Sequence, residues 1–129
     1  WVVPEFVKKI VNDEEVTIHG NGNQMRAFCH VSDIANAFSH ALTKGNNEIF
    51  NIGNNLEPIS IKELADRIIS LSNSKSKIKF ISFDESPRDR REIINRAPDI
   101  SKAVKILGYK PLISLDEGLT RIIEKHSKH

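Results

Sequence analysis

Five stretches of the chain place apolar residues three and four positions apart, as on one face of a helix. The predicted helices cover residues 3–11, 32–42 and 99–107 and follow two capping-box pairs, Ser60 with Glu63 and Ser114 with Glu117. Ser32 is the expected cap of the second helix, and Gly108 the expected end of the fourth. The chain from Lys125 onward is expected to be loose. The pattern therefore predicts five helices, each burying one apolar face.

Short runs between these helices alternate apolar and polar residues, which predicts strands. They cover residues 15–19, 27–30, 48–52 and 77–83. The run Gly20-Asn21-Gly22-Asn23 readily adopts positive φ and is predicted to be a hairpin turn. A charged segment with two prolines, residues 84–98, is expected to be a loop or edge strand. The mixture indicates an α/β or α+β fold. Its strands are too few for a complete doubly wound sheet, so we expect part of a larger unit.

Length and composition are those of one ordinary globular domain. The chain has 129 residues, 39% hydrophobic and 28% charged, and no linker divides it. Its formal net charge of +2 is too small to indicate nucleic-acid binding. No apolar stretch reaches the roughly 18 residues that a membrane span requires. The single cysteine, Cys29, excludes an internal disulfide and fits a reducing compartment, so we expect a cytoplasmic protein.

Side chains that could perform catalysis or bind a metal are few. Among the five histidines only His126 and His129 have a ligand-like spacing, and they lie in the expected loose tail. Cys29 and His30 are neighbours, but neighbouring strand residues point to opposite faces, so a thiolate pair is not expected. The sequence contains neither a Walker loop nor a nucleophile elbow. We therefore predict no metal site and no catalytic residue.

Arginines offer a site for a polyanion. Arg26 follows the predicted turn, and Arg88, Arg90 and Arg91 cluster in the charged segment. Asn51 lies at the end of a predicted strand. An arginine grips phosphate with a planar fork of donors and keeps its charge. Two arginines from separate segments could clamp a diphosphate, whereas by composition alone most surface arginines are simply solvated.

A series of motifs, in order along almost the whole chain, resembles the extended short-chain dehydrogenase/reductase family that acts on nucleotide sugars. The motifs are Val2-Val3-Pro4-Glu5-Phe6-Val7, Val16-Thr17-Ile18-His19-Gly20-Asn21-Gly22-Asn23-Gln24-Met25-Arg26-Ala27-Phe28, Val31-Ser32-Asp33-Ile34, Phe50-Asn51-Ile52-Gly53-Asn54, Pro98-Asp99-Ile100-Ser101-Lys102-Ala103, Leu107-Gly108-Tyr109-Lys110-Pro111 and Ser114-Leu115-Asp116-Glu117-Gly118-Leu119. The second resembles the family's Tyr-Gly-Asp-Gly-x-Gln-x-Arg-x-Phe stretch. His19 and Asn21 depart from it, since the family usually has an aromatic residue and an aspartate there. The resemblance implies that residues 1–129 form the small C-terminal substrate-binding domain of such an enzyme, without its Rossmann domain.

The resemblance also implies which side chains hold the nucleotide sugar. They are Arg26, Arg88 or Arg91, Ile18, His19 and Asn51. Arg26 would contact the diphosphate, and either Arg88 or Arg91 would be the second phosphate arginine, because the segment fits the family's pattern in more than one register. Ile18 and His19 would flank the base, although the histidine leaves the base contact open. Asn51 would either lie near the nucleotide or support the following turn.

The family's catalytic groups are missing from these residues. The family binds NAD or NADP at a Gly-x-x-Gly-x-x-Gly turn and uses a Tyr-x-x-x-Lys pair, whereas here the single tyrosine, Tyr109, is followed four positions later by Ile113. The implied parent is an NAD(P)-dependent nucleotide-sugar epimerase, dehydratase or decarboxylase with both motifs in an N-terminal half. This piece is expected to bind the nucleotide sugar without catalysis and without the cofactor. The alternative is a non-enzymatic binding or scaffold module derived from the family.

The expected partner surface is apolar. A piece cut from such an enzyme exposes the face that met the Rossmann domain, and such faces favour association. Val2, Val3 and Phe6 are the expected members of this face. Through it the chain would contact the missing N-terminal half or a second copy of itself. Neither nucleic acid nor a membrane is an expected partner.

Overall fold

A computed structural model of the chain describes residues 2–82 and 93–127. Within them lie five helices and five short strands. In chain order these are α1 Val2–Ile10, β1 Val16–His19, β2 Met25–Arg26, α2 Val31–Lys44, β3 Ile59–Ser60, α3 Ile61–Ser72, β4 Ile78–Ile81, β5 Asn95–Arg96, α4 Ser101–Leu107 and α5 Leu115–His126. The predicted mixture of amphipathic helices and short strands is confirmed, and the chain is a small α/β unit.

The described strands form two small sheets. β1 pairs in parallel with β4, and β2 lies between antiparallel β3 and parallel β5. Because β1 and β2 belong to different sheets, the prediction of a hairpin turn between them is wrong. Gly20 and Gly22, with φ of 71° and 75°, lie between β1 and β2, where the chain passes against the first turn of α3. There the Lys62 N–H donates to the Gly22 carbonyl at 3.0 Å.

Helices α1, α3 and α5 pack around β1 and bury the larger of two apolar clusters. Phe6 belongs to this cluster with only 4% of its surface exposed, and Val2 and Val3 pack partly buried against it. The expectation of an exposed face is therefore wrong for Phe6, because α1 turns this side chain into the core, whereas Val2 and Val3 are partly buried. Among the described helices, α2 exposes Val31, Phe38 and Leu42.

Helices α2 and α4 enclose the second cluster, which includes Ala37, Leu107 and Tyr109. The Tyr109 hydroxyl donates to the Gly53 carbonyl at 3.0 Å, and burial raises the pKa of Tyr109. Gly53 must be a glycine here, because a Cβ atom would lie 2.6 Å from Cγ of Pro98. The Cys29 sulfur lies 3.6 Å from the tyrosine hydroxyl, and burial raises the pKa of Cys29. Cys29 is therefore a half-buried packing residue, with no reactive thiolate indicated.

The carboxylate of Asp33 joins the two clusters. Asp33 is 3% exposed, and its two oxygens accept the backbone N–H groups of Leu112 at 3.0 Å and Ile113 at 3.2 Å. These amides belong to the segment that leaves the second cluster and leads into α5. A buried carboxylate is tolerated because both oxygens are hydrogen-bonded and because the residue lies in the first turn of a helix. Asp33 therefore has a long-range role besides its place in the first turn of α2.

The helix ends confirm most capping predictions and correct others. Ser60 and Glu63 form the full capping box, and Gly108 ends α4 in the left-handed conformation. Ser114 accepts the Glu117 N–H at 3.2 Å, but the Glu117 carboxylate bonds to an arginine, so the second box shows only its serine half.

The cap of α2 is His30 rather than Ser32: its Nδ1 accepts the Ser32 N–H at 3.1 Å. The expectation of a loose tail from Lys125 is wrong at its start, since α5 continues to His126.

Two predicted strands differ from the structure. The strand predicted at residues 27–30 lies earlier, at β2, because β3 and β5 can pair only with Met25 and Arg26 before the chain turns into α2. Residues 48–52 form no strand with any described part of the chain. The strand predicted at 77–83 is confirmed as β4, over Ile78–Ile81.

No helix among the described residues is long and apolar enough to cross a membrane. In the same residues no group of three or more histidine, cysteine, aspartate or glutamate side chains could hold a metal ion.

Replacing Asp33 tests the link between the clusters. In Asp33→Asn one buried backbone N–H faces an amide N–H instead of a carboxylate oxygen, so we expect a loss of about 2–3 kcal/mol in the free energy of unfolding. Urea denaturation followed by circular dichroism measures it. The control is Glu124→Gln, the same chemical change at an exposed position of α5, with an expected effect below about 0.5 kcal/mol. Equal effects of the two substitutions would show that Asp33 adds nothing beyond surface charge.

Candidate functional site

A cavity of about 400 Å³ opens where the two sheets and the ends of α1 and α3 meet. Polar and charged side chains alternate around it with apolar ones. Its lining residues are Val2, Glu5, Phe6, Thr17, Ile18, His19, Gln24, Arg26, Phe28, Ile61 and Arg96. Three of the residues predicted to bind the nucleotide sugar, Ile18, His19 and Arg26, therefore line the same cavity.

Two arginines lie side by side at one end of this cavity. Arg26 on β2 and Arg96 on parallel β5 are register partners, so their side chains project from the same face of the sheet. Like charges directly opposite on paired strands repel each other. Such a pair is favourable when an anion lies between the two guanidinium groups and accepts N–H donors from both.

The Arg26 guanidinium is held in place by the backbone. Its Nη1 donates to the carbonyls of Met25 at 2.8 Å and Ile93 at 2.9 Å. The carbonyl of Ile93 lies just before β5, so the same side chain also ties β2 to the strand that carries Arg96. Arg26 is half-buried and held by its backbone bonds, whereas Arg96 is exposed and accessible.

A second group of lining residues is formed by the end of β1 and by Gln24. Ile18 is 1% exposed and Gln24 is 7% exposed. The Gln24 Nε2 donates to the His19 carbonyl at 3.1 Å, and the Gln24 carbonyl accepts the Ile61 N–H at 3.1 Å. The first bond orients the side-chain amide, so that Oε1 points away from the His19 carbonyl, and the second, made by the backbone carbonyl of Gln24, holds the chain against the first residue of α3.

Two buried polar atoms in this group have no hydrogen-bond partner within the described part of the chain. They are Nδ1 of His19 and Oε1 of Gln24. A buried polar atom without a partner costs about 1–3 kcal/mol. Their common position beside the cavity indicates a place where a ligand or a bound water completes the hydrogen bonding.

One acidic side chain also lines the cavity. Glu5 on α1 lies 3.7 Å, carboxylate to ammonium, from Lys9 one turn later in the helix. This partial neutralisation reduces its repulsion of an anion at the arginine end. The site as a whole therefore combines two guanidinium groups, buried hydrogen-bonding atoms and an apolar wall, which suits an anionic ligand with an attached aromatic ring.

Asn51 is not among the residues that line this cavity. It is exposed and its Nδ2 donates to the Asp99 carbonyl at 3.3 Å, close to the start of α4. Whether Asn51 lies near the nucleotide or supports the turn stays a prediction. Arg88 and Arg91 lie outside the described residues.

Sequence reasoning missed Arg96 and Gln24. Arg96 stands outside the arginine cluster, directly before Ala97-Pro98-Asp99, and a two-residue parallel strand leaves no periodic signal. Gln24 stands two positions before Arg26 in the motif that suggested the site, so the sequence did offer a signal for it.

Comparison of the sequence with known proteins finds similar enzymes. Residues 1–53 match the model of the NAD dependent epimerase/dehydratase family. The chain is 36% identical over 125 residues to a UDP-N-acetyl-alpha-D-glucosaminuronate decarboxylase of Bacillus cytotoxicus, covering 95% of this chain and 39% of the relative. It is 35% identical over 132 residues to a dTDP-D-glucose 4,6-dehydratase of Mus musculus, covering 99% and 36%. The chain thus spans about two fifths of the length of these relatives.

Solved structures show the same fold. The UDP-glucose 4-epimerase of Thermotoga maritima, solved with UDP-glucose, superposes with a TM-score of 0.88 at 29% identity, covering 99% of this chain and 40% of that one. The UDP-glucuronic acid 4-epimerase of Bacillus cereus, solved with UDP-glucuronic acid and NAD, gives a TM-score of 0.83 at 27% identity, with the same coverage of 99% and 40%.

Inorganic pyrophosphate tests the arginine pair directly. We expect it to raise the melting temperature of the chain, because it binds the folded state only. In Arg96→Ala most of that increase should disappear, while the melting temperature without anion stays unchanged or rises slightly as the like-charge neighbour is removed. Scanning calorimetry at constant ionic strength measures both. The control is Arg121→Ala, whose guanidinium pairs with Glu117 on α5 outside the cavity. An undiminished pyrophosphate effect in Arg96→Ala would contradict the assignment.

Proposed function

The chain belongs to the NAD dependent epimerase/dehydratase family, and we propose that it is the C-terminal part of such an enzyme that binds the nucleotide of a nucleotide sugar. The parent enzyme would transfer a hydride between NAD(P) and the sugar in the course of epimerisation, dehydration or decarboxylation. This part would hold the nucleotide diphosphate and so position the sugar for chemistry performed elsewhere in the protein.

The observation that carries the proposal is the register between Arg26 and Arg96. Two guanidinium groups on one face of one sheet match the two phosphates of a nucleoside diphosphate. Arg96 thereby takes the place of the second phosphate arginine, for which Arg88 and Arg91 were the expected candidates. The solved relatives with UDP-glucose and UDP-glucuronic acid support a ligand of this class.

The base would lie at the other end of the cavity. Ile18 offers an apolar surface for a ring, and the Gln24 oxygen without a partner offers a hydrogen bond to its edge. His19 would pack against the ring where the family usually has an aromatic residue. An imidazole ring is flat and can stack, so this departure is compatible with base binding.

The residues of this chain do not fit NAD(P). The sequence has no Gly-x-x-Gly-x-x-Gly turn, and its single tyrosine, Tyr109, is buried with its hydroxyl bonded to the Gly53 carbonyl. We therefore assign no step of hydride transfer to these residues. In the proposed parent, the cofactor and the acid–base tyrosine belong to the part that this chain does not include.

Titration calorimetry with UDP tests the proposal on the 129-residue chain. Loss of the Arg96 contact should weaken binding about 10- to 100-fold in Arg96→Ala, because a charge-assisted hydrogen bond contributes about 1.5–3 kcal/mol. Arg26→Lys keeps the charge but loses the planar fork, so a smaller loss is expected. Arg121→Ala is the matched control and should bind UDP as the natural chain does. Absence of UDP binding, or turnover of a UDP-sugar with NAD(P) by this chain alone, would refute the proposal.

A substitution at Gln24 separates the two ends of the cavity. Gln24→Met keeps the volume but removes both amide hydrogen-bonding groups. We expect UDP affinity to fall about 5- to 10-fold while pyrophosphate affinity stays unchanged, since one lost hydrogen bond corresponds to about 1 kcal/mol or somewhat more. The Arg96→Ala variant should instead weaken both ligands. Equal losses of affinity for UDP and pyrophosphate in Gln24→Met would show that the substitution changes the fold rather than a contact with the base.

A further inference from the structure

Arg96 differs from Arg26 in what holds its side chain in place. The Arg26 guanidinium donates to two backbone carbonyls, whereas no hydrogen bond or ion pair within residues 2–82 and 93–127 holds the Arg96 guanidinium. Arg96 is also exposed, and its strand, β5, is only two residues long. The position of Arg96 beside the cavity therefore depends on what fixes its backbone.

A short parallel ladder fixes β5 to β2. Within it the Met25 N–H donates to the Ile94 carbonyl at 2.7 Å, and the Ala27 N–H donates to the Arg96 carbonyl at 3.2 Å. A ladder of only two residue pairs gives little stability on its own. The register that places Arg96 beside its partner on β2 therefore needs support from the residues that follow.

The residues that follow β5 pack against another part of the chain. Pro98, two positions after Arg96, packs against Gly53, and the Asn51 Nδ2 donates to the Asp99 carbonyl at 3.3 Å. Two residues of extended chain span at most about 7 Å, so these contacts lie close enough to fix the backbone of Arg96. The end of β5 is thereby anchored to a segment whose apolar side chains pack against the second cluster.

Residue 53 must lack a side chain for the Pro98 ring to pack there. A Cβ atom on Gly53 would lie 2.6 Å from Cγ of Pro98, well inside van der Waals contact. Gly53 is not among the glycines with a positive φ. Its backbone conformation therefore does not require glycine, whereas the contact with Pro98 does.

An added methyl group would move Pro98 rather than residue 53. The Gly53 carbonyl accepts a hydrogen bond from the Tyr109 hydroxyl at 3.0 Å, and Tyr109 is 1% exposed. Gly53 is itself buried, whereas Pro98 is half-buried and both residues of β5 are exposed. Close-packed neighbours transmit strain, and the side with fewer contacts yields, so the displacement reaches Arg96.

We propose that Gly53 is a positioning residue for the diphosphate site. By leaving room for the Pro98 ring, it holds β5 in register with β2 and so holds Arg96 beside Arg26. This rests on the proposed function, in which those two arginines bind the diphosphate. Neither Gly53 nor Pro98 lines the cavity, so both act on the ligand only through Arg96.

Pyrophosphate binding tests the proposal in a double-mutant cycle. Titration calorimetry should show about 3- to 10-fold weaker binding in Gly53→Ala, a smaller loss than in Arg96→Ala because the guanidinium is displaced but not removed. When residue 96 is already alanine, Gly53→Ala should change the affinity by less than about 1.5-fold, since the group through which it acts is gone. Equal losses in the two backgrounds would overturn the proposal.

A second substitution at Pro98 provides the rescue. In Gly53→Ala with Pro98→Ala the clashing Cγ is absent, and the remaining Cβ lies 3.6 Å from the new methyl group, an ordinary contact. We expect this double variant to recover most of the pyrophosphate affinity that Gly53→Ala loses. A merely structural role of Gly53 would instead lower the melting temperature and leave the affinity unchanged.

Two more variants complete the set. Gly118→Ala makes the same chemical change in α5, where the new Cβ would lie 3.6 Å from Cδ2 of His30, so pyrophosphate affinity should stay unchanged. Pro98→Ala alone removes the ring without adding a clash, and it tests the same contact if Gly53→Ala does not fold. It should weaken pyrophosphate binding about 2- to 5-fold in the natural background and leave Arg96→Ala unaffected. No loss in the natural background, or an equal loss in both, would contradict the positioning role.

Amide exchange followed by NMR measures the position of β5 without a ligand. The Ala27 N–H, which donates to the Arg96 carbonyl, should exchange at least about fivefold faster in Gly53→Ala. The Val16 N–H, which donates to the Lys77 carbonyl at 2.9 Å at the start of the other sheet, should keep its rate. If the natural chain binds no pyrophosphate, the proposed function fails, and Ala27 exchange still decides whether residue 53 holds β5. Unchanged Ala27 exchange in a chain that binds pyrophosphate would refute the positioning role alone.

Discussion

The carboxylate of Asp33 is the interaction on which the arrangement of the chain most depends. It lies in the first turn of α2 and binds the two amides that precede α5, so it connects a helix of the second cluster with a helix of the first. The two clusters have no residue in common, and this bond helps to fix the path of the segment between α4 and α5. Tyr109, at the start of that segment, adds a second anchor through the Gly53 carbonyl. Both anchors are buried polar bonds, which specify one arrangement more strongly than apolar contact does.

The candidate site depends on a smaller element, the two-residue strand β2. It pairs with β3 on one side and β5 on the other, and this is what sets Arg26 beside Arg96. The same strand follows the glycine-containing turn, which brings Gln24 against the end of β1 and the start of α3. One group of lining residues thus presents charge, and the other presents buried hydrogen-bonding atoms and an apolar wall. The separation of these two chemistries suits a ligand that is itself divided into a diphosphate and a base.

The parts of the chain that look incomplete lie together, away from the cavity. The apolar side chains that α2 exposes and residues 49–52, whose backbone groups pair with no described backbone group, are neighbours, whereas α1, α3 and α5 bury most of their apolar side chains against one another. A chain that spans about two fifths of its relatives would be expected to show such a surface. It lies on α2 rather than on α1, because α1 has partners of its own within the chain and α2 has them on one side only.

The sequence by itself determined the five helices and most of their ends. Helix periodicity and capping are local, since an apolar face repeats within one turn and a cap such as Ser60 acts over three residues. The ordered motifs also indicated the family, and Ile18, His19 and Arg26, which the resemblance grouped, line one cavity. Only the tertiary structure decided the sheet partners, the pairing of Arg26 with Arg96 and the burial of Gln24. Two-residue strands have no periodicity of their own, and their register is set by residues far apart in the chain. The strand predicted at residues 48–52 shows the same limit. Its pattern is local, but a β-ladder requires a partner strand, and none is present in the described chain.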